Sequence, residues 1–594
     1  MMTDAPIASR QDGSYPRPQL MRGRWADLSG PWQFLFDDGD VGEHRRWQAR
    51  WPDDSDQIVV PLPPESPASG IGETGYHRVV WYRRVVTAEE RRRGGSTGDG
   101  RTLLHFGAVD YRATVWIDGQ PAGRHEGGHA PFTLDITDLV SDEGDLSVVV
   151  RAEDDPLDAA QPRGKQDWQA DPHVVWYHRT TGIWQPVWLE GVPDLHIEQV
   201  HWTTDAASPL VTASVRLSHR PAAPVPVSVE LFFDGRPLAE IRTTAVERET
   251  TIAVEIPLLR NGQAVQDLTW SPDHPRLLDA RVHAGTDLVS SYFGITSTRA
   301  RHGAFLLNGL PCYLRSVLDQ GYWPQSHLAA PSAEALRTDV ELMRSMGFNA
   351  VRLHQEYEDP RFLYWADRLG LMVWAEAPAA YAFTPLAVMR TVAEWQEAVD
   401  RDYSHPSIIT WVPVNESWGV QSIASDPAQR HFVDALVHLT KALDPTRPVI
   451  GNDGWEQVDT DIVTIHDYDA DPDRLADRYS EPELLRAAVA GIGPAGRVSV
   501  LAGDTDGLPV MLTEFGGISF DPENQGWGYT SASDPEEYWR LLSGILAAVT
   551  GASGLAGFCY TQFADTRQET NGLLTPDRTP KLPVEEIRAM VTGH

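Results

Sequence analysis

The sequence predicts a multidomain chain: a β-sandwich of the jelly-roll kind, an immunoglobulin-like β-sandwich, and a TIM (β/α)8 barrel. Three observations predict it. At 594 residues the chain is too long for a single core. Its N-terminal part consists of short aromatic and β-branched runs between turn signals, followed by strictly alternating runs. Beyond residue 298, strand-like and helix-like patterns take turns, as a parallel barrel requires.

The first domain is read as residues 1–195. Trp32-Gln33-Phe34-Leu35-Phe36, Val79-Val80-Trp81-Tyr82 and Thr114-Val115-Trp116-Ile117 are its strand cores. Asp118-Gly119 is a hairpin signal. Glu89 to Asp99, charged and glycine-rich, is expected to be an exposed loop. Gly94-Gly95-Ser96-Thr97-Gly98 lacks the strand–helix setting of a phosphate loop. Glu153 to Asp171 has little periodicity and reads as a long loop of the functional kind.

Residues 196–297 form the second domain. Val211 to Leu217, Val227 to Phe232 and Thr250 to Ile256 alternate apolar and polar, as half-buried strands do. Pro221, Pro224 and Pro226 are expected between strands.

The barrel is read as residues 298–594. Its eight strands are expected at Cys312–Val317, Asn349–His354, Met372–Glu376, Ile408–Val414, Pro448–Ile450, Ile462–Ile465, Val510–Thr513 and Gly557–Tyr560. These apolar runs do not alternate, which suits strands buried on both faces. Leu336, Val340, Met343 and Met346 share one face of a helix capped by Ser332 and stopped by Gly347. A second helix runs from about Pro360 to Leu369, with Gly370 at its end.

Composition narrows the partners. A formal net charge of −34 disfavours nucleic acid and anionic membranes. Two cysteines, Cys312 and Cys559, imply no disulfide framework and fit a reducing compartment. Met1 to Ser14 is polar and has no apolar core of a secretory signal. No apolar run reaches the roughly 18 residues of a membrane span. A cytoplasmic location is the expectation. Most of the 21 tryptophans are expected in cores, and some as platforms for sugar faces.

Two peptides carry the chemistry. Trp411-Val412-Pro413-Val414-Asn415-Glu416-Ser417-Trp418-Gly419 and Pro509-Val510-Met511-Leu512-Thr513-Glu514-Phe515-Gly516-Gly517 are apolar strands that stop at a glutamate. They are strands four and seven, whose C-terminal ends face one another across a barrel mouth. Glycoside hydrolysis with retention needs an acid and a carboxylate nucleophile about 5–5.5 Å apart. Glu416 and Glu514 are the candidate catalytic pair, and Asn415 is placed to bind a sugar 2-hydroxyl. One glutamate at a strand end is more often a charge at a helix N-terminus; the pair carries the reading.

His354 and His466 follow strands two and six. With a glutamate they could bind zinc, but no HExxH or close histidine pair supports that, and neither metal nor cofactor is expected. Asp319, Tyr468 and Gln562 also fall at strand ends and join Asn415, His354 and His466 as candidate substrate-binding residues. Arg315, Arg352 and Asp565 share that placement and are weighed as barrel caps or loop bridges.

With these residues in view the chain resembles glycoside hydrolase family two, the β-galactosidases, β-glucuronidases and β-mannosidases. Leu28-Ser29-Gly30-Pro31-Trp32, Trp81-Tyr82-Arg83-Arg84, the stretch Phe106 to Gly119, Gly123 to Gly128 and Gly182-Ile183-Trp184-Gln185-Pro186-Val187-Trp188-Leu189 resemble the family's sugar-binding jelly roll. His405-Pro406-Ser407-Ile408-Ile409 leading into Asn415-Glu416 resembles its acid/base signature, and Thr513-Glu514-Phe515-Gly516-Gly517 its nucleophile signature. The resemblance implies a retaining double displacement with Glu514 as nucleophile and Glu416 as acid/base, Tyr468 near the nucleophile and His354 in the pocket. Family β-glucuronidases read the uronate with Asn-x-Lys before a Gly-hydrophobic-hydrophobic-Thr run. Here Glu569-Thr570-Asn571 precedes Gly572-Leu573-Leu574-Thr575, and a glutamate beside a uronate is repulsive. The eighth strand ends Tyr560-Thr561-Gln562 where the clan often has Trp.

The expectation is an exo-acting retaining glycosidase for a terminal neutral sugar, β-galactosidase-like, acting on a glycoside or oligosaccharide. β-Glucuronidase, β-mannosidase, β-glucosidase and arabinosidase activities are the alternatives, and a carbohydrate-binding protein without catalysis is the alternative of another class. The β-domains are expected to brace the barrel and offer surfaces for self-association into a homo-oligomer.

Overall fold

The computed structural model describes residues 6–95, 100–140, 144–521 and 526–593, with the side chains of 263 and 264 left aside. Ser96 to Asp99, part of the expected exposed loop, lie outside the described residues, as do Met1 to Ala5.

The N-terminal sandwich packs a four-stranded antiparallel sheet on a six-stranded one. The larger sheet runs in the order Asp56–Val60, Gly30–Phe36, Val79–Val86, Leu146–Glu153, Arg112–Ile117, Gln120–Glu126. Trp32, Phe34, Tyr82, Val115 and Val150 point into the shared core with Leu104 and Leu189 of the facing sheet. The expected hairpin is present: Asp118 (φ 49°) and Gly119 (φ 79°) are both left-handed, as a two-residue turn between right-twisted strands demands. Ala88–Arg93 is a helix, not loop. Its capping box explains this: Thr87 accepts from the Glu90 N–H, and the Glu90 carboxylate accepts from the Thr87 N–H.

The second sandwich pairs Ile197–Thr203, Leu210–Leu217 and Glu249–Glu255 in one sheet. The other sheet contains Arg236–Ala245, Val225–Phe233, Leu278–Ala284 and Asp287–Phe293. Leu210–Leu217 alternates burial along its length, as its sequence alternates. Pro226 lies within a strand, not between strands. It occupies the second residue, before the strand's second neighbour starts to pair at Val227.

The C-terminal part is a TIM barrel. Among the described residues its parallel sheet runs Ile408–Val412, Met372–Glu376, Ala350–Leu353, Leu314–Asp319, Gly557–Thr561, Val510–Gly516, Val463–Asp467. The fifth expected strand, Pro448–Ile450, is not a regular strand. The segment bridges the fourth strand in parallel, Trp411 to Val449 and Asn415 to Asp453, but on its other side Ile450 pairs antiparallel with Thr460. Pro448 brings no N–H, and the Val449 N–H goes to the Asp461 carboxylate. The first strand starts two residues later than expected and runs on to Asp319.

Ser332 caps Ala333–Ser345, and Asp359 caps Pro360–Leu369. The second of these helices closes on Gly370 (φ 81°), where a Cβ would lie 2.3 Å from the Pro272 carbonyl oxygen. The same grammar, an Asp or Thr cap followed by Pro, starts Pro385–Asp402, Pro427–Leu443, Pro472–Tyr479 and Pro535–Thr550.

The three parts are tied by polar contacts. Arg22 is an enclosed link between Glu190 of the first sandwich (3.1 Å) and Asp287 of the second (2.8 Å). Gln199, His201 and Arg216 grip Asp400 at the end of a barrel helix. The long loop after Glu153 leaves the first sandwich and lies on the barrel mouth. The N–H groups of Arg163 and Gly164 both donate to the Ala379 carbonyl, and the Tyr381 hydroxyl donates to the Gly164 carbonyl at 2.6 Å.

Candidate active site

Glu514 sits inside Val510–Gly516, and Glu416 four residues beyond Ile408–Val412. Glu416 (φ 50°) and Ser417 (φ 58°) are both left-handed, an uncommon backbone for such residues. The turn is held from several sides. Ser417 N–H donates to Asn452 Oδ1 (3.0 Å), and Ser417 Oγ–H donates to Glu456 Oε2 (2.7 Å). The Glu416 N–H donates to the Asp453 carbonyl.

The two carboxylates meet. Donor atoms of Glu416, His466 and Glu514 lie within 4.8 Å of one another. His466 Nδ1 is 2.7 Å from Glu416 Oε1 and 3.6 Å from Glu514 Oε2. Glu416 is half-buried and Glu514 only 5% exposed.

Glu514 is held as an anion. Arg352 Nη1 donates to Oε1 (2.8 Å), and the Tyr468 hydroxyl donates to Oε2 (2.5 Å). Burial pushes its pKa up, but His466, Arg352 and the Tyr468 hydroxyl outweigh that and hold it at about 2. His466 is the converse. Burial disfavours its charge, yet Glu514, Asp453 and Glu416 around it raise its pKa to about 10. It is therefore an imidazolium at neutral pH, with Nε2 3.4 Å from Asp453 Oδ2.

Beneath them lies Arg352, fully buried. It reaches Glu376 Oε2 (2.7 Å), Asn415 Oδ1 (2.7 Å) and Asp453 Oδ2 (2.8 Å) as well as Glu514. Asn415 accepts through Oδ1, while its buried Nδ2 has no partner among the described residues. That amide N–H is free to meet a substrate hydroxyl. His354 is 2% exposed, 3.1 Å from Glu376 Oε1 but not aligned for a hydrogen bond. Burial, Lys165 and Arg352 drive its pKa well below the usual value, so it is neutral. Tyr468 stacks on Tyr529, ring centroids 3.5 Å apart.

Asp319 ends the first strand and is buried; burial and Asp339 raise its carboxyl to about 7. Gln562 belongs to a polar ring past strands one and eight: Gln320 Nε2 donates to Gln562 Oε1 (2.7 Å), and Gln562 Nε2 donates to Asn571 Oδ1 (2.7 Å). Gln320 Nε2 and Asn571 Nδ2 both donate to Glu569.

Arg315 is not at the mouth. It lies near the start of Leu314–Asp319 and donates to the Gly347 carbonyl. Asp565 is a structural acceptor for Lys581 (2.8 Å) and the Gly572 N–H. Glu416, His466 and Glu514 could together hold a divalent ion by distance. The donor set fits poorly, since both Glu514 oxygens already accept hydrogen bonds and His466 is protonated.

Sequence reasoning weighed Arg352 only as a cap or bridge and passed over Glu376, Asp453 and Lys165. An arginine inside the apolar Ala350-Val351-Arg352-Leu353 must be paired, and Glu376 ends a strand just as the catalytic candidates do. Those two signals were available. Asp453 follows a segment that is not a regular strand, and Lys165 arrives on a distant loop.

A half-buried aromatic cluster reaches Trp418, two residues beyond Glu416. Trp176 meets Trp418 edge to face at 5.6 Å, and Trp176 Nε1 donates to the Tyr381 hydroxyl at 2.7 Å. Trp168 packs on both Trp176 and Tyr381. A separate cavity of about 650 Å³ lies among the three parts, lined by Arg17, His105, His196, Arg216 and Arg401, and touches neither carboxylate.

Residues 298–485 match the model for the TIM barrel domain of Glycosyl hydrolases family 2. Over those residues the barrel is similar to that of glycoside hydrolase family 2. The chain is 27% identical over 422 residues to a protein named β-galactosidase from Thermoanaerobacter pseudethanolicus, covering 67% of this chain and 52% of that one. It is 26% identical over 494 residues to a β-glucuronidase of Canis lupus familiaris, covering 74% and 70%. The chain spans about half the length of the Thermoanaerobacter protein and of a Formosa agariphila relative named putative β-glucuronidase (52% and 44%). A β-galacturonidase structure from Eisenbergiella tayi superposes with a TM-score of 0.74 at 21% identity, covering 97% of each chain. A β-D-glucuronidase structure from Dictyoglomus thermophilum gives 0.75 at 18%, covering 98% and 99%. These structures share the fold across all three parts.

Proposed function

We propose that this protein is a glycoside hydrolase of family 2, a retaining, exo-acting glycosidase that releases a terminal neutral sugar, β-galactosidase-like, from a glycoside or oligosaccharide. One observation carries the reading: two carboxylates from opposite strands lie within 4.8 Å of each other and of one imidazolium. That separation suits direct attack on a sugar carbon rather than an intervening water.

In the first step a Glu514 oxygen attacks the anomeric carbon. The bond to the aglycone oxygen breaks with its electron pair, and the Glu416 proton passes to that oxygen. In the second step Glu416, now a carboxylate, takes a proton from water as the water oxygen attacks the same carbon. The ester bond to Glu514 breaks, and both carboxyl groups return to their starting states. Arg352 and Tyr468 hold Glu514 charged and aimed, and His466 orients Glu416. Asn415 Nδ2 binds the 2-hydroxyl. His354, Asp319 and Gln562 line the sugar side, and the Trp176, Trp418, Tyr381 cluster offers a platform to the aglycone.

Relatives named β-glucuronidase support a second reading, on a terminal uronate. Glu569 opposes it. We further read the chain as a jelly-roll domain over 1–195, an immunoglobulin-like domain over 196–297 and the catalytic barrel over 298–594, in the cytoplasm. A panel of nitrophenyl glycosides, with proton NMR of the first product anomer, tests the assignment. β-Galactoside turnover with net retention is the expected result. An inverted product would refute the mechanism, and preference for the glucuronide would refute the sugar.

A further inference from the structure

The chain contains three lysines, Lys165, Lys441 and Lys581, and otherwise draws its cationic side chains from arginine and histidine. Lys441 pairs with Asp461 (3.0 Å) and Lys581 with Asp565 (2.8 Å). Lys165 differs. It is only 8% exposed, and its ammonium has no hydrogen bond or ion pair among the described residues. The side chain is largely enclosed while its unpartnered Nζ stays accessible, and a cation so placed normally finds a counter-charge or an acceptor.

The backbone that carries it is fixed. Gly164 (φ 59°) presses so close to the barrel that a Cβ would lie 2.2 Å from the Gln355 carbonyl oxygen. The Tyr177 N–H donates to the Lys165 carbonyl, and Gln166 spans Asp110 (2.8 Å) and the Thr180 N–H (2.8 Å). Lys165 is thus carried by the first sandwich to the barrel mouth. Gly164 abuts Gln355, next to His354. Gln568, next to Glu569, donates Nε2 to the Trp176 carbonyl (2.7 Å) beside Tyr177, whose N–H holds the Lys165 carbonyl. Glu569 is fixed by Gln320 (3.1 Å) and Asn571 (3.0 Å). No oxygen of Glu569 comes within ion-pair distance of Lys165.

We propose that Lys165 and Glu569 together read one hydroxyl of a neutral sugar, the ammonium donating to its oxygen and the carboxylate accepting its proton, and that this pair discriminates against uronates. The chemistry is one of donor count. A hydroxyl both donates and accepts, so it satisfies a cation and an anion that face each other across a gap. A uronate carboxylate only accepts; it would satisfy Lys165 and be repelled by Glu569. The inference rests on the glycosidase reading above and makes Lys165 a specificity-determining residue outside the barrel.

The test uses the Glu514→Gln protein, which retains substrate, titrated calorimetrically with an aryl β-galactoside and the matching β-glucuronide. The galactoside should bind more tightly, and adding Lys165→Met should weaken it by about tenfold or more, as when a buried polar partner is left unpaired. Adding Glu569→Gln instead should raise glucuronide affinity relative to galactoside; this variant carries the test alone if Lys165→Met fails to fold. Unchanged galactoside affinity in Lys165→Met and an unchanged ratio in Glu569→Gln would overturn the proposal. So would loss of glucuronide binding alone, which would make Lys165 a carboxylate receptor. A wild-type protein that turns over no aryl glycoside would instead sink the glycosidase reading, and this inference with it.

Discussion

Arg352 donates Nη1 to Glu514 Oε1 at 2.8 Å from a guanidinium that is 0% exposed. The same group contacts Glu376, Asp453 and Asn415, so four site residues share one cation. A lysine cannot reproduce that planar fork. Arg352→Lys should lower kcat by about 100-fold or more through misplacement of Glu514. Because Arg352 helps hold the Glu514 carboxyl low, the acid limb of the kcat/KM profile should also move to higher pH. Equal kcat in wild type and variant, measured on an aryl glycoside across pH 4 to 9, would remove Arg352 from the positioning network.

His466 links charge to stability. Its folded pKa is raised, to about 10 from 6.5, by Glu514, Asp453 and Glu416 against the opposing effect of burial. A raised folded pKa means the native state binds the proton more tightly than the unfolded chain. The contribution is complete below about pH 6.5 and is lost as pH rises towards 10. The wild-type melting temperature should therefore fall across that window more steeply than that of His466→Asn. Parallel curves for the two proteins would contradict the assignment of an imidazolium.

Glu416 donates its proton to the leaving oxygen, so its importance depends on the leaving group. Glu416→Ala should slow an unactivated aryl or alkyl glycoside by roughly 10²–10⁴-fold. A dinitrophenyl glycoside, whose phenolate departs without protonation, should lose far less in the glycosylation step. Steady-state and burst kinetics on the two substrates distinguish this. An equal loss on both would mean that Glu416 acts in some other way.

The barrel's helices were legible where the code is local. Ser332 and Gly347 bracket one helix, and Asp359, Pro360 and Gly370 another, because caps and breakers act over one turn. Glu416 and Glu514 were legible because a strand end is visible in one dimension and barrel geometry supplies the rest. Tertiary pairing decided what was missed. Pro448–Ile450 has the apolar content of a strand, but its outer side is taken by Thr460 and the Asp461 carboxylate. Ala88–Arg93 is written in charged residues, and only reciprocal capping by Thr87 and Glu90 fixes it. Lys165 could not be placed because nothing local says which distant mouth a loop will cover.

Arg22 tests how the sandwiches are joined. Its guanidinium is 5% exposed between Glu190 (0%) and Asp287 (3%), one carboxylate from each sandwich. Both attractions are strong in so enclosed a site, and each offsets the cost of taking the ions out of water. Removing only the cation leaves two buried carboxylates near one another, so Arg22→Met should destabilise the junction by about 3–5 kcal/mol. Removing all three charges, with Arg22→Met, Glu190→Leu and Asp287→Leu together, leaves neither carboxylate stranded, although Tyr15, Trp188 and the Ile197 N–H then lose an acceptor. That variant should lose much less than the single change, because the penalty lies in the imbalance rather than in the absence of the bridge. Urea denaturation followed by tryptophan fluorescence reads the first transition of each protein. If the triple variant is the least stable of the set, the triad is a net source of cohesion between the domains and the imbalance argument fails.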